Sequence, residues 1–187
     1  YGYKGKVEVV DNGSDFAGNI PVEQLRRSAR DKLRLPSDEF MFLFVGQHIW
    51  EKNLEFLLEA LAEIRTLPFR MYFIGSGYAA SELRRKTEDL YLTDKVIFMG
   101  SITERERLKL YYAAADLFLF PSLYDNAPLV VREAAALHTP SLLIKGSTSA
   151  EVIHDSVNGF LSDNSVTAYA SRISQLLETP QLIAEAG

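Results

Sequence analysis

The chain has 187 residues, a net charge of −5 at pH 7, 47% hydrophobic residues and no cysteine. This composition is typical of a globular domain with one core, and the acidic balance argues against a general nucleic-acid or membrane-surface binder. Disulfides and thiolate metal sites are excluded, and no apolar run reaches the roughly 18 residues that a membrane-spanning helix needs.

The first 20 residues are polar and glycine-bearing, and they predict a linker or edge segment from a preceding domain. A short patch of valines in this segment comes before a turn signal at residues 11–13. Because the chain begins with Tyr1 rather than Met, we expect it to be a piece of a longer protein. Residues 21–187 are predicted to form one α/β domain.

A helical pattern with five basic side chains covers residues 21–35. Its basic face could meet anionic lipid, but its apolar face is thin, which favours a solvated surface helix. The basic residues are Arg26, Arg27, Arg30, Lys32 and Arg34.

The rest of the chain alternates strand and helix patterns. The first unit begins with Phe40–Val45, a continuous apolar run of the kind found in strands that are covered on both faces. A loop ending at Lys52 follows, and Asn53 is predicted to cap a helix whose leucines recur at helical spacing. Further strands are predicted at residues 70–74, 96–99, 116–120, 141–144 and 160–161, and further helices at 80–92, 103–115 and 165–178.

Two later helix starts carry capping-box patterns, Thr103 with Glu106 and Thr148 with Glu151. Together, six strands that alternate with helices predict an α/β fold. We expect a doubly wound, mostly parallel six-stranded sheet with helices on both faces.

Ligands of such sheets bind beyond the carboxyl ends of the strands. The loops at those ends are rich in glycine and small polar residues, which let a ligand approach the backbone. These loops contain Gly46-Gln47-His48, Gly75-Ser76-Gly77, Gly100-Ser101, residues 122–126 and residues 146–149.

The most informative stretch surrounds a predicted helix start near Pro128. Asp125 lies in the turn before the helix and Glu133 about two turns along it, at 3.6 residues per turn. A helix start offers backbone N–H groups and a partial positive charge, which together suit a phosphate. Since Pro128 has no N–H, Leu129 and Val130 are the expected donors.

Each acid and cation of the candidate site also has a purely structural interpretation. Asp125 could cap the helix or stabilise the turn. Lys52, the cation of the first loop, could reach the same phosphates or could be an exposed surface lysine. Glu133 could accept hydrogen bonds from vicinal hydroxyls such as those of a ribose, or it could form a salt bridge with Arg132 or Lys145.

Other motifs carry weaker signals. The Gly75-Ser76-Gly77 turn lacks the third glycine of a dinucleotide fingerprint. His48, His138 and His154 show no metal-ligand spacing, so surface or core histidines are favoured. His48 and Trp50 could flank a sugar or a base, although Trp50 could equally cover the sheet edge.

With these residues in view, the chain resembles the C-terminal, donor-binding domain of retaining GT-B glycosyltransferases of the family 4, or group 1, type. The segment VVDNGSDF, residues 9–16, is similar to the linker turn of that family. The two acids of the family signature fall on Asp125 and Glu133, with Asp in place of the first Glu. The Gly-Arg loop and Glu-Lys pair of the family fall on Gly46-Gln47 and Glu51-Lys52.

Two positions depart from the family pattern. Gln47 stands where the family has Arg, and Pro128 stands where it has Gly. Gln47 can donate a hydrogen bond but supplies no charge. Part of the stabilisation of the leaving group is therefore expected to be missing.

The resemblance implies one Rossmann-like half of a GT-B fold and a role for each part of the site. Lys52 and the amides of Leu129 and Val130 would hold the diphosphate of the donor. Glu133 would bind its ribose, and Asp125 with the nearby backbone would contact the transferred sugar.

The resemblance also implies where the base lies and which residues take part in catalysis. The base would lie against the loop of Gly100, Ser101 and Ile102. Further nucleotide contacts are implied for Gly46, Gln47 and Asn126. Catalytic roles are implied for Asp125, Lys52 and Glu133. We expect no metal and no other cofactor, since transfer needs only charge stabilisation of the leaving diphosphate from this half.

We therefore expect a glycosyltransferase of polysaccharide biosynthesis that transfers a sugar, with retention, from a nucleotide-diphosphate donor to a saccharide or lipid-linked acceptor. The acceptor site would belong to an N-terminal domain of the same protein, so this chain alone should bind nucleotide weakly and transfer nothing. The alternatives are a non-catalytic nucleotide-sugar-binding domain, in which Gln47 marks lost activity, and a GT-B nucleotide-sugar epimerase. A phosphoacceptor signalling domain is disfavoured, because Gly46-Gln47-His48 and Gly100-Ser101 lack the acids that it needs.

The same reasoning gives the expected surroundings of the protein. We expect a cytoplasmic location, with room for peripheral contact to the inner face of the membrane in the full-length protein. No nucleic-acid partner is expected from the acidic net charge.

Overall fold

A computed structural model describes residues 14–16, 21–36, 39–125 and 128–187 of the chain. The turn signal at residues 11–13 and most of the expected linker lie outside the described residues, as does Asn126. The division of the chain into a linker and an α/β domain stays a prediction.

The strands form one sheet in which all neighbours are parallel. They are β1 Phe40–Val45, β2 Phe69–Ile74, β3 Val96–Gly100, β4 Leu117–Phe120, β5 Ser141–Ile144 and β6 Phe160–Ser162. Their order is β3-β2-β1-β4-β5-β6. The chain builds one half of the sheet outward from β1, returns to the centre with β4 and builds the other half. The predicted doubly wound six-stranded sheet is therefore confirmed.

Helices connect the strands and cover the sheet. Within the described ranges they are α1 Val22–Leu33, α2 Leu54–Glu63, α3 Ala80–Asp89, α4 Arg105–Ala114, α5 Leu129–Ala136, α6 Val166–Glu178 and α7 Pro180–Glu185. Two short 3₁₀ helices span Trp50–Lys52 and Thr148–Val152. No helix in the described part of the chain has the length and apolar content to cross a membrane.

The two faces of the sheet are covered by different helices. α2 packs against α3 and α6, whereas α4 packs against α1 and α5. This division follows from right-handed crossovers, which put helices on opposite faces when the chain moves outward in opposite directions. Because both faces are covered, β4 and β5 are buried at every position, and their sequences are continuous apolar runs.

The direction of the chain reverses between β1 and β4, which are direct neighbours. Phe42 pairs with Leu117 and Leu43 with Phe118. Loops that leave two such strands diverge to opposite faces and open a crevice between them, where ligands of doubly wound sheets bind. The loops after β1 and β4 are those that carry Lys52 and Asp125.

The basic side chains of α1 do not all face solvent as expected. The guanidinium of Arg30 donates to the carbonyl oxygens of Ala114, at 3.0 Å, and Glu39, at 3.2 Å, and it is paired with Asp116. α1 also packs along α4, so its thin apolar face is sufficient to dock it. The expectation of a solvated helix is therefore wrong for Arg30, which joins α1 to the start of β4.

Three expected helix caps are wrong. Asn53 adopts a left-handed backbone, with φ of 57°, and its side chain donates to the carbonyl oxygen of Pro121 at 3.3 Å. α4 starts at Arg105 without a side-chain cap, and Glu106 instead accepts from Lys109 at 2.8 Å. Thr148 bonds to the loop after β4. These side chains found tertiary or neighbouring partners that compete with the local cap.

Candidate functional site

Lys52 and Asp125 lie together at the point where the direction of the chain reverses. The 3₁₀ helix Trp50–Lys52 ends the loop after β1, and Asp125 lies in the loop after β4. The ammonium of Lys52 donates to Oδ2 of Asp125, and the two side chains are 19% and 18% exposed. The ammonium also lies 5.8 Å from the ring centroid of Phe120. The charge of the predicted phosphate-binding lysine is thus compensated by the predicted sugar-binding acid.

Thr148 holds the acidic loop from the neighbouring β5–β6 connection. Its hydroxyl accepts from the backbone N–H of Asp125 at 2.8 Å and donates to the carbonyl oxygen of the same residue at 2.9 Å. Its own N–H donates to the carbonyl oxygen of Leu123 at 3.2 Å. Three contacts from one residue fix the backbone on both sides of the Asp125 side chain. Sequence reasoning assigned Thr148 to a capping box and missed this role.

The first turn of α5 carries the predicted phosphate donors. Pro128 precedes the helix with an extended backbone, and Leu129 and Val130 are the first two helical residues. Amides at these positions have no carbonyl partner within their own helix. Leu129 is exposed and Val130 is half-buried, so the helix start faces outward. Asn126, for which a nucleotide contact was predicted, lies outside the described residues.

Glu133 is a buried carboxylate with two partners from α4. The residue is 8% exposed. Its Oε1 accepts from Arg105 at 3.0 Å and its Oε2 accepts from the hydroxyl of Tyr112 at 2.9 Å. Burial, reinforced by the Glu133 charge, raises the pKa of Tyr112 far above its ordinary value, so the phenol remains a donor. The salt-bridge interpretation was correct in kind, with Arg105 as the partner.

Arg105 and Tyr112 are site residues that sequence reasoning missed. They are seven positions apart on α4, which places them on one face of the helix. That spacing was visible in the sequence, but nothing in it indicated that this face meets α5.

Backbone hydrogen bonds connect the loops after β1, β2 and β3. Gly46 donates to Ile74 at 3.0 Å, and Gly75 donates to Gly100 at 2.9 Å. Gly75 has φ of 137°, and a Cβ atom built there would lie 1.8 Å from the carbonyl oxygen of Gly46. Only glycine allows this approach.

The predicted base-binding loop after β3 is hydrogen-bonded to the loop after β2. The hydroxyl of Ser101 donates to that of Ser76 at 2.9 Å. Ser101 and Gln47 are exposed, whereas Gly46, Gly100 and Ile102 are half-buried. These residues therefore line the ends of neighbouring strands, on the same edge of the sheet as Lys52.

His48 does not flank an open site. It is 2% exposed, and its ring lies about 6 Å from those of Phe44, Phe73 and Phe98. Its Nε2 has no hydrogen-bond partner among the described residues. Burial, with a smaller effect from Arg84, lowers the pKa of His48. The favoured interpretation of His48 as a core histidine is therefore confirmed, and its ring belongs to the apolar layer under the loops rather than to a sugar or base contact.

Trp50 remains at the surface beside a tyrosine. Its backbone N–H donates to the hydroxyl of Tyr78 at 3.3 Å, and that hydroxyl donates to the carboxylate of Glu51. The hydrogen bond from Tyr78 lowers the pKa of Glu51. Trp50 and Tyr78 are both exposed, so they offer aromatic surface at the edge of the β1 loop.

A large cavity among the described residues lies away from this group of residues. The cavity, of about 810 Å³, is lined by Arg26, Arg30, Asp116 and His138, which places it at the amino ends of β4 and β5 and away from the crevice. Among the residues that the structure describes, no three His, Asp or Glu side chains are grouped as metal ligands.

Both the matching family model and the sequence relatives are glycosyltransferases. A family model described as Glycosyl transferases group 1 matches residues 26–186. D-inositol 3-phosphate glycosyltransferase 2 of Catenulispora acidiphila is 31% identical over 195 residues, a match that covers 98% of this chain and 45% of that protein.

Solved structures give the same picture. Sucrose-phosphate synthase from Thermosynechococcus elongatus is 28% identical with a TM-score of 0.79, over 93% of this chain and 44% of that one. Anabaena HepE, in complex with UDP and glucose, is 22% identical with a TM-score of 0.77, over 96% of this chain and 49% of that one.

The chain spans less than half the length of each of these three proteins. The similarity to HepE, at 22% identity, concerns the fold alone. The family model, in contrast, matches far more than half of the chain. Together with the doubly wound sheet and the acidic loop at its crevice, this match shows that the chain belongs to the group 1 glycosyl transferases and has the architecture of their GT-B C-terminal domain.

Proposed function

We propose that the chain is the donor-binding domain of a glycosyltransferase that moves a sugar from a nucleotide diphosphate to a hydroxyl acceptor. The observation that carries the proposal is the ion pair of Lys52 and Asp125 at the crevice of the sheet, close in the chain to the start of α5. Membership of the group 1 family supports it. The relative from Catenulispora acidiphila is named as a glycosyltransferase, and HepE was crystallised with UDP and glucose, which is consistent with a nucleotide-sugar donor.

In this proposal the diphosphate binds between Lys52 and the start of α5. The amides of Leu129 and Val130 and the helix dipole favour an anion there. Lys52 is paired with Asp125, but in a largely buried ion pair the cost of desolvating both charges offsets much of their attraction. A diphosphate, with its greater charge, can therefore compete for the ammonium.

Glu133 is suited to the ribose because its carboxylate is fixed and still has acceptor capacity. A carboxylate has about four lone-pair sites. Arg105 and Tyr112 use one on each oxygen, which leaves one on each for the vicinal hydroxyls. Burial of the carboxylate strengthens such hydrogen bonds.

The transferred sugar is proposed to lie against Asp125, and the base against Gly100, Ser101 and Ile102. In the transfer step the bond from the anomeric carbon to the diphosphate oxygen breaks, and a bond to the acceptor oxygen forms on the same face of the sugar. The acceptor proton leaves with the diphosphate. Lys52 and the α5 amides stabilise the negative charge that develops on the leaving group.

The acceptor, a saccharide or a lipid-linked sugar, is proposed to bind to parts of the full-length protein beyond this domain. The proposal also retains the cytoplasmic location and peripheral membrane contact expected from the sequence, and a donor site that needs no metal.

Calorimetric titration of this chain with UDP and GDP tests the donor site. We expect weak binding of one of them, and a Glu133→Ala variant that binds roughly tenfold more weakly because it loses hydrogen bonds to a charged group worth about 1.5–3 kcal/mol. Glu178→Ala, at the exposed end of α6, is the matched control. Failure of the wild type to bind either nucleotide at millimolar concentration would overturn the site, and unchanged affinity of Glu133→Ala would remove Glu133 from it.

A non-catalytic nucleotide-sugar-binding domain is the second candidate. The observation that favours it is the low positive charge of the crevice, where Gln47 replaces an expected arginine and Lys52 is compensated by Asp125. Turnover assays of the full-length protein with a panel of nucleotide sugars separate the two candidates. Transfer to an acceptor supports the first, binding without turnover supports the second, and conversion of one nucleotide sugar into another would indicate an epimerase.

A further inference from the structure

We propose that Asp15 and Arg105 position Glu133, so that recognition of the ribose depends on the placement of residues 14–16. This inference rests on the proposed function, because it concerns how the proposed ribose contact is held. Asp15 belongs to the segment that resembles a family linker turn, whereas Arg105 is the first residue of α4.

Arg105 bridges two carboxylates that are far apart in the chain. One terminal nitrogen donates to Oε1 of Glu133 at 3.0 Å, and the other donates to Oδ1 of Asp15. The planar guanidinium fixes the two directions relative to each other. The position of Asp15 therefore determines the direction from which Arg105 reaches Glu133.

Phe16 anchors the segment against α4. It is buried, and its ring meets that of Tyr112 edge-on at 5.8 Å. The guanidinium of Arg105 lies 4.2 Å from the centroid of the same ring, and the ammonium of Lys109 lies 5.3 Å from it. Residues 14–16 thus contact both groups that hold the Glu133 carboxylate, by a hydrogen bond to Arg105 and by ring packing on Tyr112.

Exposure indicates that the arrangement acts through geometry. The side chains of Arg105 and Asp15 are 50% and 69% exposed, and exposed ion pairs contribute little to stability. The Glu133 side chain is only 11% exposed, and the direction of a buried carboxylate is set by its hydrogen bonds. Loss of Asp15 should therefore change the placement of Arg105 more than the stability of the fold, whereas loss of Arg105 also removes the charged partner of a buried carboxylate.

The consequence is a coupling between the ribose contact and the segment before α1. Movement of residues 14–16 releases Arg105 and loosens one of the two hydrogen bonds that fix Glu133. Conversely, ribose binding to a correctly oriented Glu133 favours the docked position of that segment, because coupling between sites is reciprocal.

The test compares a nucleoside diphosphate with its 2′,3′-dideoxy analogue, in calorimetric titrations of the wild type and of Arg105→Gln. The nucleotide used is whichever of UDP and GDP the wild type binds. We expect the wild type to prefer the ribose form by roughly tenfold, as expected for hydrogen bonds to a charged group. In Arg105→Gln this preference should fall to about twofold or less, while the affinity for the dideoxy analogue stays the same. Arg107→Gln, on an exposed position of α4, should retain the preference of the wild type.

A second variant tests the contribution of the segment itself. Asp15→Asn should lower the ribose preference in part, and in the Arg105→Gln background it should have no further effect, since interacting residues are non-additive. Thermal unfolding of each variant reports whether it is folded. An equal loss of affinity for both nucleotides in Arg105→Gln would indicate a merely structural role and overturn the inference.

The outcomes also separate this inference from the proposed function. If Glu133→Ala abolishes the ribose preference while Arg105→Gln and Asp15→Asn retain it, the inference is wrong and the ribose contact stands. If the wild type binds no nucleotide, the proposed function is wrong and the inference fails with it.

Discussion

At the scale of single residues, the charges of Lys52 and Asp125 compensate each other at the crevice. The pair is about one-fifth exposed, so solvent screens it only in part. In the proposed function, a donor diphosphate therefore competes for an ammonium that already has a partner. The two residues should have opposite effects on nucleotide affinity when they are substituted.

Lys52→Ala is expected to weaken binding of the nucleoside diphosphate roughly tenfold or more, because it removes a charge-assisted hydrogen bond worth about 1.5–3 kcal/mol. Asp125→Asn should instead strengthen binding by roughly a few-fold, since it removes the group that competes with the diphosphate for Lys52, and the desolvation cost of a largely buried ion pair keeps its net contribution small. Calorimetry at two salt concentrations measures both effects, with Lys32→Ala on α1 as the control. Weaker binding by Asp125→Asn would contradict the proposed competition.

His48 should make the stability of the domain depend on pH. Burial lowers its pKa in the folded state, so the unfolded state binds the proton more readily than the folded state does. The free energy of unfolding should therefore be fully developed above about pH 6.5, the ordinary pKa of histidine, and should fall as the pH drops below it.

Urea unfolding at pH 7.5 and pH 5 measures this dependence. His48→Leu should lose less stability between the two pH values than the wild type, because leucine suits the surrounding phenylalanines and does not titrate. His154→Leu, at an exposed position, is the control. An equal pH dependence in wild type and His48→Leu would contradict the prediction.

At the scale of elements, the loops after β1 and β2 pack against each other, and this packing depends on close approach of their backbones. The loop after β2 lies directly on the loop after β1, and the glycine at residue 75 permits it. The comparison with Gly146 separates contact from backbone conformation, because Gly146 also has a positive φ, of 81°, but no atom lies within 4 Å of a Cβ built there.

Gly75→Ala is expected to destabilise the domain by more than about 3 kcal/mol, since the new Cβ would overlap a backbone oxygen and the loops would have to separate. Gly146→Ala should cost only about 1–2 kcal/mol, the price of a left-handed backbone for alanine. Denaturant unfolding measures both values. Similar losses of stability for the two variants would mean that the loops after β1 and β2 can separate at little cost.

At the scale of the whole molecule, this domain carries a proposed donor site, and an acceptor is expected to bind elsewhere in the full-length protein. The described residues form a six-stranded sheet with covering helices and an apolar core. We therefore expect the chain to bind nucleotide without transferring sugar.

Transfer of labelled sugar, assayed with this chain and with the full-length protein, tests that expectation. The full-length protein should show turnover at saturating donor, while the chain alone should show none above background. Addition of the chain to a full-length Lys52→Ala variant should not restore activity, because donor and acceptor sites must lie on one molecule. Transfer by the chain alone would contradict the division of labour.

The fold was largely predictable from the sequence because its signals are local. Continuous apolar runs such as Phe40–Val45 and Ser141–Ile144 must be buried on both faces, and their alternation with helical patterns leaves little choice but a parallel sheet. The loops with Lys52 and Asp125 could be assigned to one edge because both follow the carboxyl ends of parallel strands, whereas the strand order that puts β1 beside β4 came from the structure.

Side-chain partners were much less predictable, since polar residues choose among local and distant groups of similar energy. Asn53 and Thr148 match cap signatures, but in the structure Asn53 bonds to Pro121 and Thr148 bonds to Asp125 instead. Arg105 carries no signal that it would meet Glu133, 28 positions away, or Asp15, 90 positions away.

The sequence by itself determined the alternation of buried strands and helices and the types of residue at the strand ends, because burial and backbone hydrogen bonding leave few alternatives. Only the tertiary structure decided that Lys52 is compensated by Asp125, that His48 is buried, and that Arg105 joins Glu133 to residues 14–16. Those contacts depend on the packing of α4 against α5 and on the meeting of the loops after β1 and β4. The sequence position of a polar side chain does not indicate which distant group such packing will bring to it.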